Sequence, residues 1–415
     1  MKELSLSEWR ELGRTDPVQW SAVLQENLSE CIGKTGTAVV SANLSQSAEL
    51  GQGPLAGVPY AIKDLYDYQG LPSHCSSVLP ELLDCPARQD SELVAQLRAK
   101  GASCAAKAQM HEFAYGLSGE NPHYENCPHP HMAGCLSGGS SSGSAHLVAG
   151  GYLPVAFGTD TGGSIRLPAS WCGLYGVRWS PGRWMEGGFP LARSFDAMGW
   201  FTRSAAEMRQ MLEAWFEVDG GEAGGPVRGA LFLPQDFVSG ETYAAITGAA
   251  ARWDLPTGDD FGELLSWLPQ CNVAFNVLQS SEAYAIHETW LCRYGDLYDP
   301  AVKARIERGA RWTREDVAAA EKMRQQIRVW FAAYFEHNDF LAMPVCPGPS
   351  TAPEAATPDL REKTLKLTGP ASLAGLPALT LPVWLDAERS VGIQCIFKNV
   401  DPSVPLALLD RCENS

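Results

Sequence analysis

The chain is short of positive charge. Its 415 residues include 32 lysines and arginines against 48 aspartates and glutamates, a net charge of −16. Nucleic-acid binders usually carry a basic footprint, so no nucleic-acid partner is expected. Charged residues make up only 19% of the chain and hydrophobic ones 45%, which supplies a sizeable core and excludes global disorder. Long apolar runs are also missing. The longest, Ala145 to Phe157, is interrupted by Gly150, Gly151 and Pro154, whereas a membrane span needs about 20 mostly apolar residues; no membrane partner is expected. The first residues alternate charged and apolar types and lack the continuous apolar core of a secretion signal. The expected compartment is therefore cytoplasmic. None of the 12 cysteines forms a C-x-x-C pair, and reduced, structural thiols are expected in a chain of this length.

The pattern along the chain points to an α/β architecture. Residues 1–50 read as two short helices and a polar connection. The apolar run Leu55 to Ile62 reads as a buried strand that stops at Lys63-Asp64. Ser91 caps a helix with Leu93, Val94 and Leu97 on one face, and Gly101 stops it. Short strands are expected at Ala102 to Ala106 and Leu153 to Phe157, with a small-residue helix from Ser144 to Ala149 between them. Residues 204–216 form an amphipathic helix with Met208, Met211, Leu212 and Trp215 inward. Residues 217–260 are glycine-rich and poorly patterned. Thr313 and Asp316 make a capping box at the start of a long helix, and Ala371 to Val383 reads as helix then strand. Alternation of helix and strand favours α/β layering.

Three places carry candidate chemistry: Lys63 at a strand end, the loop Gly138-Gly-Ser-Ser-Ser-Gly-Ser144, and Gly162-Gly-Ser-Ile-Arg166. Singly, each is ordinary: a solvated charge, a flexible loop, a turn. The first loop lacks the Lys-Ser/Thr ending of a phosphate-binding P-loop. Together they mean more. Glycines before a serine let successive backbone N–H groups face one point, which is what stabilising a developing oxyanion requires. A serine there is a candidate nucleophile that needs a base. No histidine sits in an obvious partner motif, and a lysine serves if burial holds it neutral.

The stretches Gly57-Val-Pro-Tyr-Ala-Ile-Lys-Asp64, Gly138-Gly-Ser-Ser-Ser-Gly-Ser144 and Gly158-Thr-Asp-Thr-Gly-Gly-Ser-Ile-Arg-Leu-Pro-Ala169 resemble the amidase signature family, including the 24-residue separation of Ser140 and Ser164. The resemblance implies one domain over 1–415 with a central mixed, mostly parallel twisted sheet covered by helices on both faces. It divides into an N-terminal helical segment (1–50), a signature core (55–215), a variable cap (217–312) and a C-terminal part completing the core (313–415). It implies Ser164 as nucleophile, Ser140 as bridging serine after a cis peptide bond, and Lys63 as base. Backbone N–H groups of Thr161, Gly162, Gly163 and Ser164 would form the oxyanion hole. Asp160 and Asp196 would support the loops. Arg166, Met110, Phe113 and Trp171 are candidate substrate contacts; holding the loop's shape is the other reading for Arg166, as for Asp160, and core packing is at least as good a reading for Met110 and Phe113.

The activity so implied is hydrolysis of a small amide to acid and amine through an acyl-serine, with no metal or organic cofactor. Two other classes stay open: a glutamine-dependent amidotransferase A-type subunit feeding ammonia to a partner, and a non-catalytic docking member. A homodimer is an open possibility of assembly. Ser142 stands where many relatives have glycine, and Gly176-Val-Arg-Trp-Ser-Pro181 departs from the usual pattern. Trp171, Trp179, Trp184 and Trp200 read as packing or as an aromatic wall for the acyl group, packing being preferred. His123, Cys127, His129, His131 and Cys135 have zinc-ligand chemistry but no zinc-site spacing, and an ordinary loop is preferred.

Overall fold

The computed structural model describes residues 1–42, 51–218, 226–258 and 261–413. Its ten strands are β1 (Val39–Ala42), β2 (Pro59–Lys63), β3 (Ser103–Ala108), β4 (Val155–Asp160), β5 (Tyr175–Arg178), β6 (Ala197–Thr202), β7 (Gly229–Leu231), β8 (Phe340–Pro344), β9 (Ala378–Trp384) and β10 (Ser390–Phe397). They form one sheet in the order β1-β3-β2-β4-β6-β5-β9-β10-β8-β7.

Alternation along the central strands sorts side chains to two faces. Tyr60 and Ile62 of β2 join one core with Val155 and Phe157 of β4. Ala61 and Ala156, between them, join the other. The alanine face admits the helix Ser142–Ala149, every residue of which is buried. Gly143 is required there: a Cβ would fall 2.7 Å from the backbone nitrogen of Gln109. The larger face packs against helices Glu92–Ala99 and Ala205–Phe216, whose inward residues are those expected.

The sheet is mixed and helix-covered, as expected, but its parallel part is local. β2 is parallel to both β3 and β4, and β7 to β8. The other pairings between these strands are antiparallel. The cause lies in the connections. Long connections, each carrying a helix of eight residues, join β2 to β3 and β3 to β4 and return the chain to the same end. By contrast, β9 and β10 are joined by a short turn and pair as a hairpin. The parallel block is the part that matters for the site, because Lys63 and Asp160 end β2 and β4 on the same edge, and open α/β sheets bind ligands beyond the carboxyl ends of such strands.

Two regions depart from expectation. The second N-terminal helix is long, Pro17–Thr35, and is followed by β1. The poorly patterned stretch 217–260 contains β7 and the helix Gly240–Arg252, and beyond it runs a helix of 33 residues, Gly262–Tyr294, about 50 Å long at 1.5 Å per residue. Its buried residues include Asn272, Gln279, Ser280 and His287 beside Phe275 and Leu278, so no clean apolar stripe marks it. Parts of the expected segments 1–50 and 217–312, namely 43–50, 219–225 and 259–260, lie outside the described residues. The capping box holds: Thr313 and Asp316 exchange hydrogen bonds at the start of Arg314–Tyr334. No helix among the described residues is long and apolar enough to cross a membrane.

Candidate active site

Lys63 is the last residue of β2, fully buried. The parallel register sets Ile62 opposite Phe157, which carries Lys63 to the level of the next residues of β4. There its Nζ lies 2.8 Å from Thr159 Oγ1 and 2.7 Å from Ser140 Oγ. Burial pushes the Lys63 ammonium down to about 7, while the Asp196 and Asp160 carboxylates work in the opposite direction. Thr159 is the contact that sequence reasoning missed, although it stands inside the quoted Gly158 motif.

Ser140 directly precedes the turn into the helix Ser142–Ala149, and the Gly139–Ser140 peptide bond is cis. The Ser140 carbonyl accepts from the His111 N–H at 3.1 Å, and the Gly139 N–H donates to the Leu117 carbonyl at 2.7 Å. Ser141 Oγ donates to the Thr159 carbonyl at 3.1 Å, tying this loop to the end of β4. Leu117 also flanks the second loop, with Cδ2 3.6 Å from where a Cβ on Gly163 would stand. The two serine loops are therefore neighbours.

Asp160 fixes the loop that carries Ser164. One carboxylate oxygen accepts the Gly163 N–H at 2.8 Å and the other the Ile165 N–H at 3.1 Å, so the backbone is anchored on both sides of Ser164. Gly163 has φ +134°, a conformation that favours glycine. The Gly162 carbonyl accepts from Thr368 Oγ1 at 2.6 Å. Ser164 is buried, and its hydroxyl has no hydrogen-bond partner among the described residues; in particular no hydrogen bond joins it to Ser140.

Three expectations change. The Gly163 N–H is committed to Asp160, which removes it from the free oxyanion donors; those of Thr161, Gly162 and Ser164 have no backbone partner among the described residues. Arg166 is not a substrate contact. It is fully buried and its guanidinium is consumed by the Asp160 carboxylate, Ser372 Oγ, the Thr368 carbonyl and Gln394 Oε1. Arg178 adds a second cation at 3.1 Å from Asp160. Burial alone would raise the Asp160 pKa, but Arg166 and Arg178 outweigh it and hold the carboxyl well below the usual range. Met110 and Phe113 are buried core residues. Phe113 packs among Phe189, His287, Trp290 and Tyr298.

Asp196 behaves as a support: it accepts from Thr161 Oγ1 at 2.6 Å and from the Leu191 and Ala192 N–H groups. Burial pushes its pKa up to about 6 against these hydrogen bonds. Trp171, itself buried, borders a cleft of about 540 Å³ that also touches Leu117, Leu167, Asn276 and Thr364; Arg166, Met110 and Phe113 do not line it. Trp179, Trp184 and Trp200 pack with one another and with Trp215. His129 Nε2 meets the Trp171 carbonyl at 2.8 Å and its Nδ1 accepts two backbone N–H groups, while His123 faces Glu112. Among the described residues no group of three or more such side chains is arranged to hold a metal.

Comparison with known proteins identifies a family and relatives. A family model described as Amidase matches residues 25–223 and 272–402. The chain is 32% identical over 394 residues to a 2-amino-5-chloromuconic acid deaminase of Comamonas testosteroni, covering 87% of this chain and 81% of the relative. It is 30% identical over 371 residues to a 1-carboxybiuret hydrolase subunit of Pseudomonas sp. (strain ADP), covering 83% and 80%. A crystal structure described as an amidase superposes with a TM-score of 0.85 at 29% identity, covering 99% of each chain.

Proposed function

The chain belongs to the amidase family, and from that premise we propose that it hydrolyses a carboxylic amide to acid and amine through an acyl intermediate on Ser164, with Ser140 and Lys63 as the proton relay. The observation that carries the reading is the buried Lys63 Nζ, 2.7 Å from Ser140 Oγ and shifted by burial toward its neutral form. A neutral amine is a base; an ordinary lysine at neutral pH is not.

The steps follow from the residues. Neutral Lys63 takes the proton of Ser140 as Ser140 takes that of Ser164. Ser164 Oγ bonds to the amide carbon, and the carbonyl electron pair moves onto oxygen. The N–H groups of Thr161, Gly162 and Ser164 stabilise that oxyanion, preorganised by the anchoring of their loop to Asp160. On collapse the C–N bond breaks, and the relay returns the proton to the leaving nitrogen. Water then attacks the acyl carbon, giving its proton to the same relay; on collapse the bond from Ser164 Oγ to that carbon breaks, the relay returns the proton to Ser164 Oγ, and the acid leaves. Catalytic hydrogen bonds commonly close only around substrate, and the Ser140–Ser164 contact belongs to that stage. Residues 217–312 act as the variable cap, with the helix Gly262–Tyr294 as one wall.

The test is turnover of simple aliphatic and aryl amides by the single purified chain. Ser164→Ala, Ser140→Ala and Lys63→Ala should each lower kcat/KM by about 10³-fold or more with the fold unchanged by circular dichroism. Ordinary activity in Ser164→Ala overturns the reading. Ammonia release from glutamine only with added partner subunits would replace it with the amidotransferase alternative.

A further inference from the structure

The cleft bordered by Leu167 and Trp171, just past the Ser164 loop in the chain, carries an unusual charge arrangement. Arg305, Arg308 and Arg361 line it, the first two from the helix Pro300–Glu307 and the turn that continues it, the third from the helix Pro358–Ala374. None of them has a carboxylate within ion-pair distance among the described residues. The Nε atoms of Arg308 and Arg361 are buried and have no hydrogen-bond partner among the described residues. What the three do contact is neutral: Arg305 donates to the Tyr115 carbonyl at 2.7 Å, and Arg308 and Arg361 both reach Asn276 Oδ1, at 3.5 and 3.3 Å. Two acids border the cleft, each with a closer partner of its own, although the charges of Glu120 and nearby Asp299 partly offset that of Arg305. Glu120 accepts from Ser118 Oγ at 2.6 Å, and Glu362 pairs with Lys366 at 2.8 Å.

Like charges gathered in a half-buried space cost stability. Burial, with repulsion from Arg305 and Arg308, pushes the Arg361 guanidinium down to about 9. A fold keeps such an arrangement where a ligand of opposite charge completes it.

The cleft is joined to the nucleophile loop by two helices. Arg361, Thr364, Leu365 and Thr368 share one face of the helix Pro358–Ala374; Thr368 bonds the Gly162 carbonyl, and Leu365 lies 3.1 Å from where a Cβ on Gly162 would stand. On Gly262–Tyr294, Phe275 flanks Gly162 while Asn276 faces the arginines. Arg361 and Thr368 are seven residues apart, about 10 Å along the axis.

We propose that the cleft formed by Arg305, Arg308 and Arg361 is a carboxylate subsite, and that the amide hydrolysed at Ser164 bears a carboxylate on the portion lying there. The guanidinium fork fits a carboxylate with two parallel hydrogen bonds, and the orphaned Nε–H groups are donors without an acceptor in the free protein. This inference rests on the acyl-serine reading for its reaction but not for its binding.

The experiment measures both. The ω-carboxy amides from succinamate to suberamate are compared with alkanamides of matched length. The carboxy series should be preferred roughly 10- to 100-fold in kcat/KM, with the preference shrinking as salt is raised. Arg361→Gln and Arg308→Gln should each reduce that ratio about 10-fold or more, and Arg361→Lys should restore it only in part. Separately, succinate, glutarate and adipate are titrated into Ser164→Ala by calorimetry, with Arg361→Gln added in a double variant. Binding that requires Arg361, in a protein whose wild type hydrolyses no amide, keeps the subsite and overturns the acyl-serine reading. Equal or better turnover of the neutral series, with no dicarboxylate binding, overturns the subsite.

Discussion

The pH dependence of kcat/KM follows from one number. Burial brings Lys63 down to about 7, so about half of the free enzyme holds the neutral base at pH 7. Below that the neutral fraction falls about tenfold per pH unit, to about 1% at pH 5. An unperturbed lysine would be neutral in only about one molecule in 3,000 at pH 7, so burial supplies on the order of 10³ in active base. The assay is initial-rate kinetics at low amide concentration from pH 5 to 9.5. It should show a single acid limb near 7 and a plateau above it. Asp196 raises the Lys63 pKa by its charge, so Asp196→Asn should move the limb to lower pH. Folding stability carries the same signature. The folded-state pKa lies below the unfolded one, so between about 7 and 10.5 the unfolded chain binds more protons, and stability should rise with pH across that window. The full penalty, present below pH 7, is about 5 kcal/mol, and Lys63→Met should abolish this slope. A flat kcat/KM from pH 5 to 8, or a limb above pH 9, refutes the reasoning.

Other consequences are equally direct. Thr159→Val removes the second contact of Lys63; kcat/KM should fall roughly 5- to 10-fold, and the limb should shift to lower pH because that hydroxyl favours the ammonium. Arg166→Met leaves Asp160, Gln394 and the Thr368 carbonyl short of a partner in the core. Urea unfolding should show a loss of about 3–5 kcal/mol, whereas a raised KM at unchanged stability would return Arg166 to the substrate. Gly143→Ala should lower stability by about 1–3 kcal/mol, since the added methyl meets the Gln109 backbone; an unchanged melting temperature would contradict the close approach of that helix.

Much of this site was legible because its three motifs lie at the ends of well-patterned elements. The run to Lys63 and the strand before Asp160 both read as buried apolar strands, which fixes where the loops that follow them begin. Backbone commitments were not legible. That the Gly163 N–H is spent on Asp160, or that Arg166 is saturated by Thr368, Ser372 and Gln394, depends on partners up to 228 residues away. The helix Gly262–Tyr294 escaped notice for a different reason. It is contacted from several sides, so its buried set mixes polar and apolar residues. The arginine cleft combines residues from 305 to 361 in separate elements, each an ordinary surface charge by its neighbours in the chain.

The central claim concerns which oxygen becomes acylated and what activates it. The most direct measurement is peptide-resolved mass spectrometry after reaction with a fluorophosphonate, following the rate of adduct formation at pH 8. The account predicts one stoichiometric adduct on the peptide containing Ser164, absent in Ser164→Ala and formed at least about 10²-fold more slowly in Lys63→Ala. An adduct on Ser140, or labelling of Ser164 at the same rate without the Lys63 amine, would contradict it.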